Sequence, residues 1–296
     1  LTVEFKAGNG DKGLKDVDGV TADTQIVVFY KAKLNGSAVI GNAAEGNKGG
    51  NPNTVKLEYS NNPYAEGTGT TIEDTVADFA FKLNLNKVDQ GTEKGLAGAV
   101  FTIQSDDNNT LGQYVASNTD AAAGVVAGQL VTVTDANNLP DYVKFTSGND
   151  GKIAVSGLDA GSYNVTEVQA PGDAYTKADP FTFTITPDYD QTTMKVTSLT
   201  AAVSNADKGR TDIAFGALDG TAGDHKLTGT EGTGTNAAAG EVTINVGNAK
   251  SVGLPITGLD GVTLTWVAGG AVLVIGVAHL IRSRREESEE LSLIHI

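Results

Sequence analysis

The sequence predicts an all-β chain of β-sandwich character that ends in a single membrane-spanning helix. Three observations lead there. Apolar residues alternate with polar ones at period two over short stretches, turn formers separate those stretches, and one long uncharged apolar run lies near the C-terminus. Of 296 residues 37 are Gly and none is Cys. Glycine with abundant Thr, Asn, Asp and Val favours short strands joined by turns, and the length suggests about two domains.

The first patterned region covers residues 1–77. It opens with Leu1, Val3 and Phe5 alternating with Thr2, Glu4 and Lys6, and it carries further strand patterns at 25–34 and 54–59. The second covers 78–250, with strand patterns at 78–87, 99–104, 151–155, 161–168, 181–186 and 241–246. Turn signals punctuate them: Asn61, Asn62 and Pro63; Asn149, Asp150 and Gly151; Ala170, Pro171 and Gly172. Regularly spaced short strands of this kind build sandwiches. Residues 188–240 are poorly periodic and predict an inserted loop or extra hairpin of unreadable function.

The apolar run at 262–281 is followed at once by Arg282, Arg284 and Arg285. About 20 residues at roughly 1.5 Å each cover the roughly 30 Å of a bilayer's hydrocarbon core. Arginines directly after the run place that end in the cytoplasm and everything before it outside; Trp266 sits near the outer boundary. A buried core helix is the alternative, and Gly269, Gly270 and Gly276 disfavour it. Residues 291–296 return to apolar character after a charged tail and match translated sequencing-adapter sequence, so they are read as an artefact. The start at Leu1, without Met or signal, reads as an N-terminal truncation.

Net charge is −15, from 21 Lys+Arg against 36 Asp+Glu. Such a polyanion offers no surface to neutralise phosphates, so nucleic-acid binding is not expected. Absence of Cys removes disulfides and thiolate metal sites. Three His, two of them in the apolar run and the final residues (His279, His295), leave only His225 for soluble chemistry. Neither a metal site, a cofactor nor an enzyme is expected.

Strand alternation yields a sharper signal, because residues two apart share a face. Phe79, Phe81, Leu83 and Leu85 define an apolar face whose next member is Lys87. Tyr163 and Val165 lead to Glu167. Val242, Ile244 and Val246 lead to Asn248, whereas Asn245 falls on the opposite face. A buried lysine tends to lose its proton and a buried carboxyl to keep one. A neutral lysine amine is a nucleophile, an asparagine amide an electrophile, and a protonated glutamate between them can carry protons. The product would be an isopeptide bond with loss of ammonia. The alternative is three strand-end residues whose polar tips reach solvent.

These residues resemble the C-terminal part of a major shaft pilin of Gram-positive bacteria, the sortase-assembled fimbrial subunits with isopeptide-forming domains. Leu85 to Asp89 followed by Leu96 to Phe101 is similar to the opening strands of the terminal pilin domain, whose lysine falls on Lys87. Tyr163 to Pro171 resembles the family's E-box, with its acid on Glu167, and Val246 to Lys250 resembles the last strand, with its amide on Asn248. Asn51 to Pro63 looks like the end of the preceding domain, with Asn53 as the cross-linking amide and its lysine and acid lying before Leu1. The resemblance implies tandem Ig-like, CnaB-type domains: the C-terminal part of one at 1–77 and a terminal one at 78–250.

Leu254, Pro255, Ile256, Thr257 and Gly258 fit the sortase pattern Leu-Pro-x-Thr-Gly, and 251–290 then form a cell-wall sorting signal. Pro255 biases Leu254 toward extended geometry, which suits a peptide threaded into a cleft. A sortase would cut between Thr257 and Gly258 and transfer Thr257 to an amine. Implied partners are that transpeptidase, neighbouring pilin subunits, peptidoglycan, and host surface glycans or matrix proteins; the membrane enters only through the signal's helix. The implied location is the Gram-positive cell surface, outside the cell and anchored to the wall. The implied function is a covalently polymerised pilus subunit. A monomeric surface adhesin built from similar domains is the alternative, distinguished by whether the N-terminal region holds an acceptor lysine.

Overall fold

The computed structural model describes residues 2–4, 18–21, 23–30, 34, 38–42, 49–61, 67–216, 227 and 235–251. The chain divides into two compact units, Leu1–Ser37 and Ala38–Ile296. Described residues of the first unit form no strand. The alternation expected at 25–34 is therefore not realised over residues 25–30, where Phe29 is 92% exposed. Alternation marks a strand only where a partner strand and a core exist to use it.

In the second unit the strands are β1 (Asn51–Val55), β2 (Glu58–Ser60), β3 (Thr68–Thr70), β4 (Asp74–Asp78), β5 (Phe81–Asp89), β6 (Val100–Ser105), β7 (Tyr114–Val115), β8 (Leu130–Val131), β9 (Phe145–Thr146), β10 (Lys152–Leu158), β11 (Gly161–Gln169), β12 (Phe181–Asp190), β13 (Lys195–Val203), β14 (Ile213–Phe215), β15 (Thr235–Asn236) and β16 (Glu241–Asn248). The pattern predicted at 54–59 is broken into β1 and β2, and the one at 78–87 into the end of β4 and β5. The opening alternation at 1–6 forms no strand over the described residues 2–4, whereas the expected strands at 99–104, 151–155, 161–168, 181–186 and 241–246 each sit on one element.

Two sheets make the sandwich. One runs β10-β5-β16-β14 with β15 beside β16; the other runs β13-β12-β11-β6-β7-β8 with β9 beside β6. Among the described residues the fold is thus all-β, with a single 3-10 turn at Asp141–Val143 as the helical element. Between the sheets, Phe81, Leu83, Leu85, Val242, Ile244 and Val246 from one face Phe101, Ile103, Tyr163, Val165, Phe181 and Phe183 from the other, all buried in one cluster. Each such side chain contributes about 1.5–3 kcal/mol of apolar burial. The strands β5 and β16, first and last of the sandwich, lie side by side and parallel, with Lys82 opposite Glu241 and Asp89 opposite Asn248.

The region 188–240 contributes sandwich structure as well as connection. The strands β12 and β13 form a long hairpin with a bulge at Asp188/Tyr189, and β14 adds an edge beside β16. Its turn closes on Asp190, whose carboxylate accepts the Thr192 and Thr193 N–H groups at 2.7 and 3.0 Å.

Residues 38–42 and 49–51 pack on one end of this sandwich. The Asn42 side chain donates to Val196 O and accepts from Val196 N–H, both at 2.8 Å. Gly49 N–H reaches Met194 O at 2.9 Å and Gly41 N–H reaches Ala80 O at 2.9 Å. Gly41 and Gly240 cross backbone to backbone, both at positive φ; a Cβ on Gly41 would lie 2.4 Å from Gly240 N. Only glycine fits that crossing.

Candidate functional site

The structure brings Lys87, Glu167 and Asn248 together between the sheets. Lys87 is the seventh residue of β5, Glu167 faces it from β11, and Asn248 ends β16. Their exposures are 0%, 3% and 1%, so the apolar faces of three strands each end in an inward polar side chain. Backbone contacts hold Lys87 on both sides: its N–H donates to Gly151 O and its carbonyl accepts from Leu96 N–H, both at 2.8 Å. Gly151 sits at φ +80°, where a Cβ would lie 2.3 Å from Lys87 O. The Asn149, Asp150 and Gly151 turn thus does more than reverse the chain; it lets β10 close against the lysine's own backbone.

The three side chains form one connected set. Lys87 Nζ donates to Asn248 Oδ1 and to Val246 O at 3.0 Å. Asn248 Nδ2 donates to Glu167 Oε1 at 2.8 Å. Glu167 Oε2 accepts from Ala178 N–H at 2.6 Å and lies 3.9 Å from Lys87 Nζ. The Phe101 ring forms a wall 5.9 Å from Nζ, within cation–π range. None of these tips reaches solvent, so the strand-end snorkelling alternative does not describe them.

Burial pushes the Lys87 ammonium down from 10.5 to about 8, against the pull of Glu167 and Asp212. Burial also pushes the Glu167 carboxyl up, against Lys87, the Ala178 N–H and the Asn248 amide. Both shifts favour neutral forms, because a low-dielectric site penalises charge. An amine that gives up its proton more readily than a free lysine therefore sits beside an amide carbon, with a protonatable carboxyl touching the amide nitrogen. This arrangement can transfer the acyl group from Asn248 Nδ2 to Lys87 Nζ.

Asn245 lies on the opposite face of β16, as its register requires, yet it is 0% exposed. Its Oδ1 accepts from Asn86 Nδ2 at 2.8 Å, making a buried amide pair behind the sheet. Asn53, on β1, is exposed and opposite Val76 of β4. Val55, Leu57 and Tyr59, in phase with it, are also exposed at 65%, 54% and 48%. Leu254, Pro255, Ile256, Thr257 and Gly258 lie outside the described residues, as do 262–281, the arginines after them, residues 291–296, and His225, His279 and His295. Among the described residues no group of three or more His, Cys, Asp or Glu could hold a metal, and no helix is long and apolar enough to cross a membrane.

Several contacts at the centre escape strand alternation. The Ala178 N–H and Val246 carbonyl are backbone groups that alternation does not read. Asp212 arrives from the poorly periodic insertion. Phe101 could have been found, since it occupies the inward face of β6 opposite Glu167 in register.

A family model described as SpaA, prealbumin-like fold domain, matches residues 81–200. That span holds Lys87 and Glu167 and stops before Asn248. Among solved structures, the group B streptococcus pilus 2b backbone protein is 22% identical, with 66% of this chain and 48% of that one covered and a TM-score of 0.33. BcpA, the major pilin subunit of Bacillus cereus, is 16% identical over 74% and 41%, with a TM-score of 0.32. The T6 backbone pilin of serotype M6 Streptococcus pyogenes is 14% identical over 74% and 45%, with a TM-score of 0.37. The chain spans less than half the length of each of these three pilins. No curated protein matches it. Residues 81–200 are thus similar to the SpaA prealbumin-like fold domain.

Proposed function

We propose that the chain is a structural subunit of a covalently polymerised pilus, anchored to a Gram-positive cell wall and cross-linked within itself between Lys87 and Asn248. The observation that carries this reading is the buried, mutually bonded set of Lys87, Glu167 and Asn248. In the step, the Lys87 Nζ lone pair attacks Asn248 Cγ. Glu167 takes a proton from Nζ and delivers one to Nδ2, the Cγ–Nδ2 bond breaks, and ammonia leaves. The new Nζ–Cγ amide joins first strand to last, and one reaction per molecule completes the chemistry. The chain is a structural protein rather than a catalyst of turnover.

The remaining parts of the reading come from sequence. Residues 1–77 are the end of a preceding isopeptide-forming domain with Asn53 as its amide, and 78–250 are the terminal CnaB-type domain. Leu254 to Gly258, the apolar span and the arginines form the sorting signal that a sortase cleaves, with neighbouring subunits or peptidoglycan as acceptors. The deciding measurement is intact mass: the folded chain weighs one ammonia less than its sequence, and Glu167→Ala restores the full mass. A wild-type mass equal to the sequence mass refutes the cross-link.

A further inference from the structure

Arg210, in the turn before β14, is the only arginine ahead of the C-terminal apolar run. Its side chain is 18% exposed, and all five guanidinium N–H groups are engaged. Nε and Nη2 hold the two oxygens of Asp212 at 3.0 and 2.7 Å. Nη1 donates to Asp207 Oδ1 at 3.1 Å and to Pro180 O at 2.8 Å, and Nη2 also donates to Asp179 O at 2.9 Å. A planar fork with five fixed donors can satisfy this set, and a lysine ammonium cannot.

Both halves of the grip lead to the cross-linking centre. Asp179 and Pro180 directly follow Ala178, whose N–H donates to Glu167 Oε2 at 2.6 Å. The Asp212 carbonyl accepts from Gly247 N–H at 2.7 Å, one residue before Asn248. Asp207, gripped by the same guanidinium, accepts from Thr182 N–H at 3.1 Å, so the start of β12 is tied to the same turn. We propose that Arg210 is a positioning residue for the isopeptide centre, fixing Glu167 through the loop at Ala178 and Asn248 through Asp212 and Gly247. The inference rests on the cross-link reading and gives the insertion at 188–240 a role in it.

Charge is the second part of the device. The charged groups that face Lys87 are Glu167 on β11 and Asp212 ahead of β14, while Lys177, in the loop after β11, acts on Glu167. Asp212 favours the protonated amine, the unreactive form. Arg210, 2.7 Å from that carboxylate, offsets it.

The test uses the newly translated full chain, trapped unfolded in denaturant and then refolded at a series of pH values, with loss of ammonia followed by intact mass. Arg210→Met should slow the reaction by up to about 100-fold, the scale of an ångström-size misplacement. It should also move the pH midpoint of the rate upward, because Asp212 is left uncompensated. Arg210→Lys, which keeps the charge and guards against a misfolded Met variant, should be slower with its midpoint unmoved. A change in stability alone would leave that midpoint where it was. If the wild type loses ammonia and both variants match its rate and midpoint, the brace is overturned and the cross-link stands. If the wild type keeps its full mass, the cross-link reading falls and the brace falls with it.

Discussion

Lys87 Nζ donates to the side-chain carbonyl of Asn248, a residue 161 positions later in the chain, across two parallel neighbouring strands. Parallel pairing places Asn248 opposite Asp89, so the lysine reaches diagonally toward the end of its neighbour rather than straight across. That offset brings the amide to Nζ while Val246, directly opposite Lys87, supplies only its backbone carbonyl.

The first prediction is the pH dependence of bond formation. A nucleophilic Lys87 must be neutral, and burial has lowered its ordinary 10.5 to about 8. Below that value the neutral fraction falls about tenfold per pH unit, so the initial rate of ammonia loss should fall in step on acidification and level off above about pH 8. A rate that is flat between neutrality and pH 8 would contradict the assignment of Lys87 as nucleophile.

Asn245 separates chemistry from stability. Asn245→Ala strands the Asn86 donor inside the protein, which costs roughly 1–3 kcal/mol, so the melting temperature should drop. The mass should still be one ammonia below the sequence mass, since Asn245 faces away from Lys87. Face alternation alone predicts no thermal effect; the burial of this residue is what changes that expectation.

Asp89 offers an acid-limb test. Burial works to raise its carboxyl, but the Tyr175 hydroxyl and the N–H groups of Thr92 and Gly91 outweigh it and hold it at about 2, down from 3.8. A depressed carboxylate stabilises the fold above its unfolded value and loses that contribution as pH falls. Tyr175→Phe should therefore melt lower than wild type at neutral pH, and the gap should close between about pH 4 and 2. A gap that persists unchanged at pH 2 would remove Asp89 as its source.

Anchoring is checked at the sorting signal. Mature wall-extracted protein should end at Thr257, and replacing Thr257 or Pro255 with Ala should leave the chain held at the membrane. An intact Thr257–Gly258 bond in the covalent wall fraction would exclude sortase processing here.

The domain boundary can be probed by two fragments. Residues 78–250 should fold cooperatively with a β-rich circular dichroism spectrum, whereas 1–75 alone should not. A fragment beginning at Ala38 should melt higher than one beginning at Asp78, because it retains the Asn42 bonds to Val196. Gly41→Ala should erase most of that gain, overpacking a backbone crossing at a cost of about 1–3 kcal/mol.

Much of this architecture was legible because the strands flanking the centre have clean alternation and one clear violation each. Lys87, Glu167 and Asn248 stand out only against the uniform apolar faces before them. β13 was hidden by its bulged pairing at Asp188/Tyr189 and by small Thr, Ser and Ala side chains in place of large apolar ones. β14 is buried at all three residues, which leaves no alternation to read. The burial of Asn245 was invisible for a related reason: the Gly216 segment that follows β14 passes close enough for an added Cβ to lie 3.3 Å from Asn245 Oδ1. Arg210 was missed because its grip includes backbone carbonyls some 30 positions away, and backbone carbonyls carry no sequence signature.

Parallel alignment of β5 with β16 also fixes how tension would cross the domain. The chain enters at the start of β5 and leaves at the end of β16, so stretching its ends slides the two strands along each other. In that direction the ladder is strained in shear, all its hydrogen bonds together, rather than peeled one at a time. With Lys87 joined to Asn248, force passes from β5 into the new amide after seven residues of the strand and leaves at the last residue of β16. The chain between these two residues, which lie 161 positions apart, then contributes no extensible slack, and a fibre of such subunits would lengthen under tension only by what its junctions give.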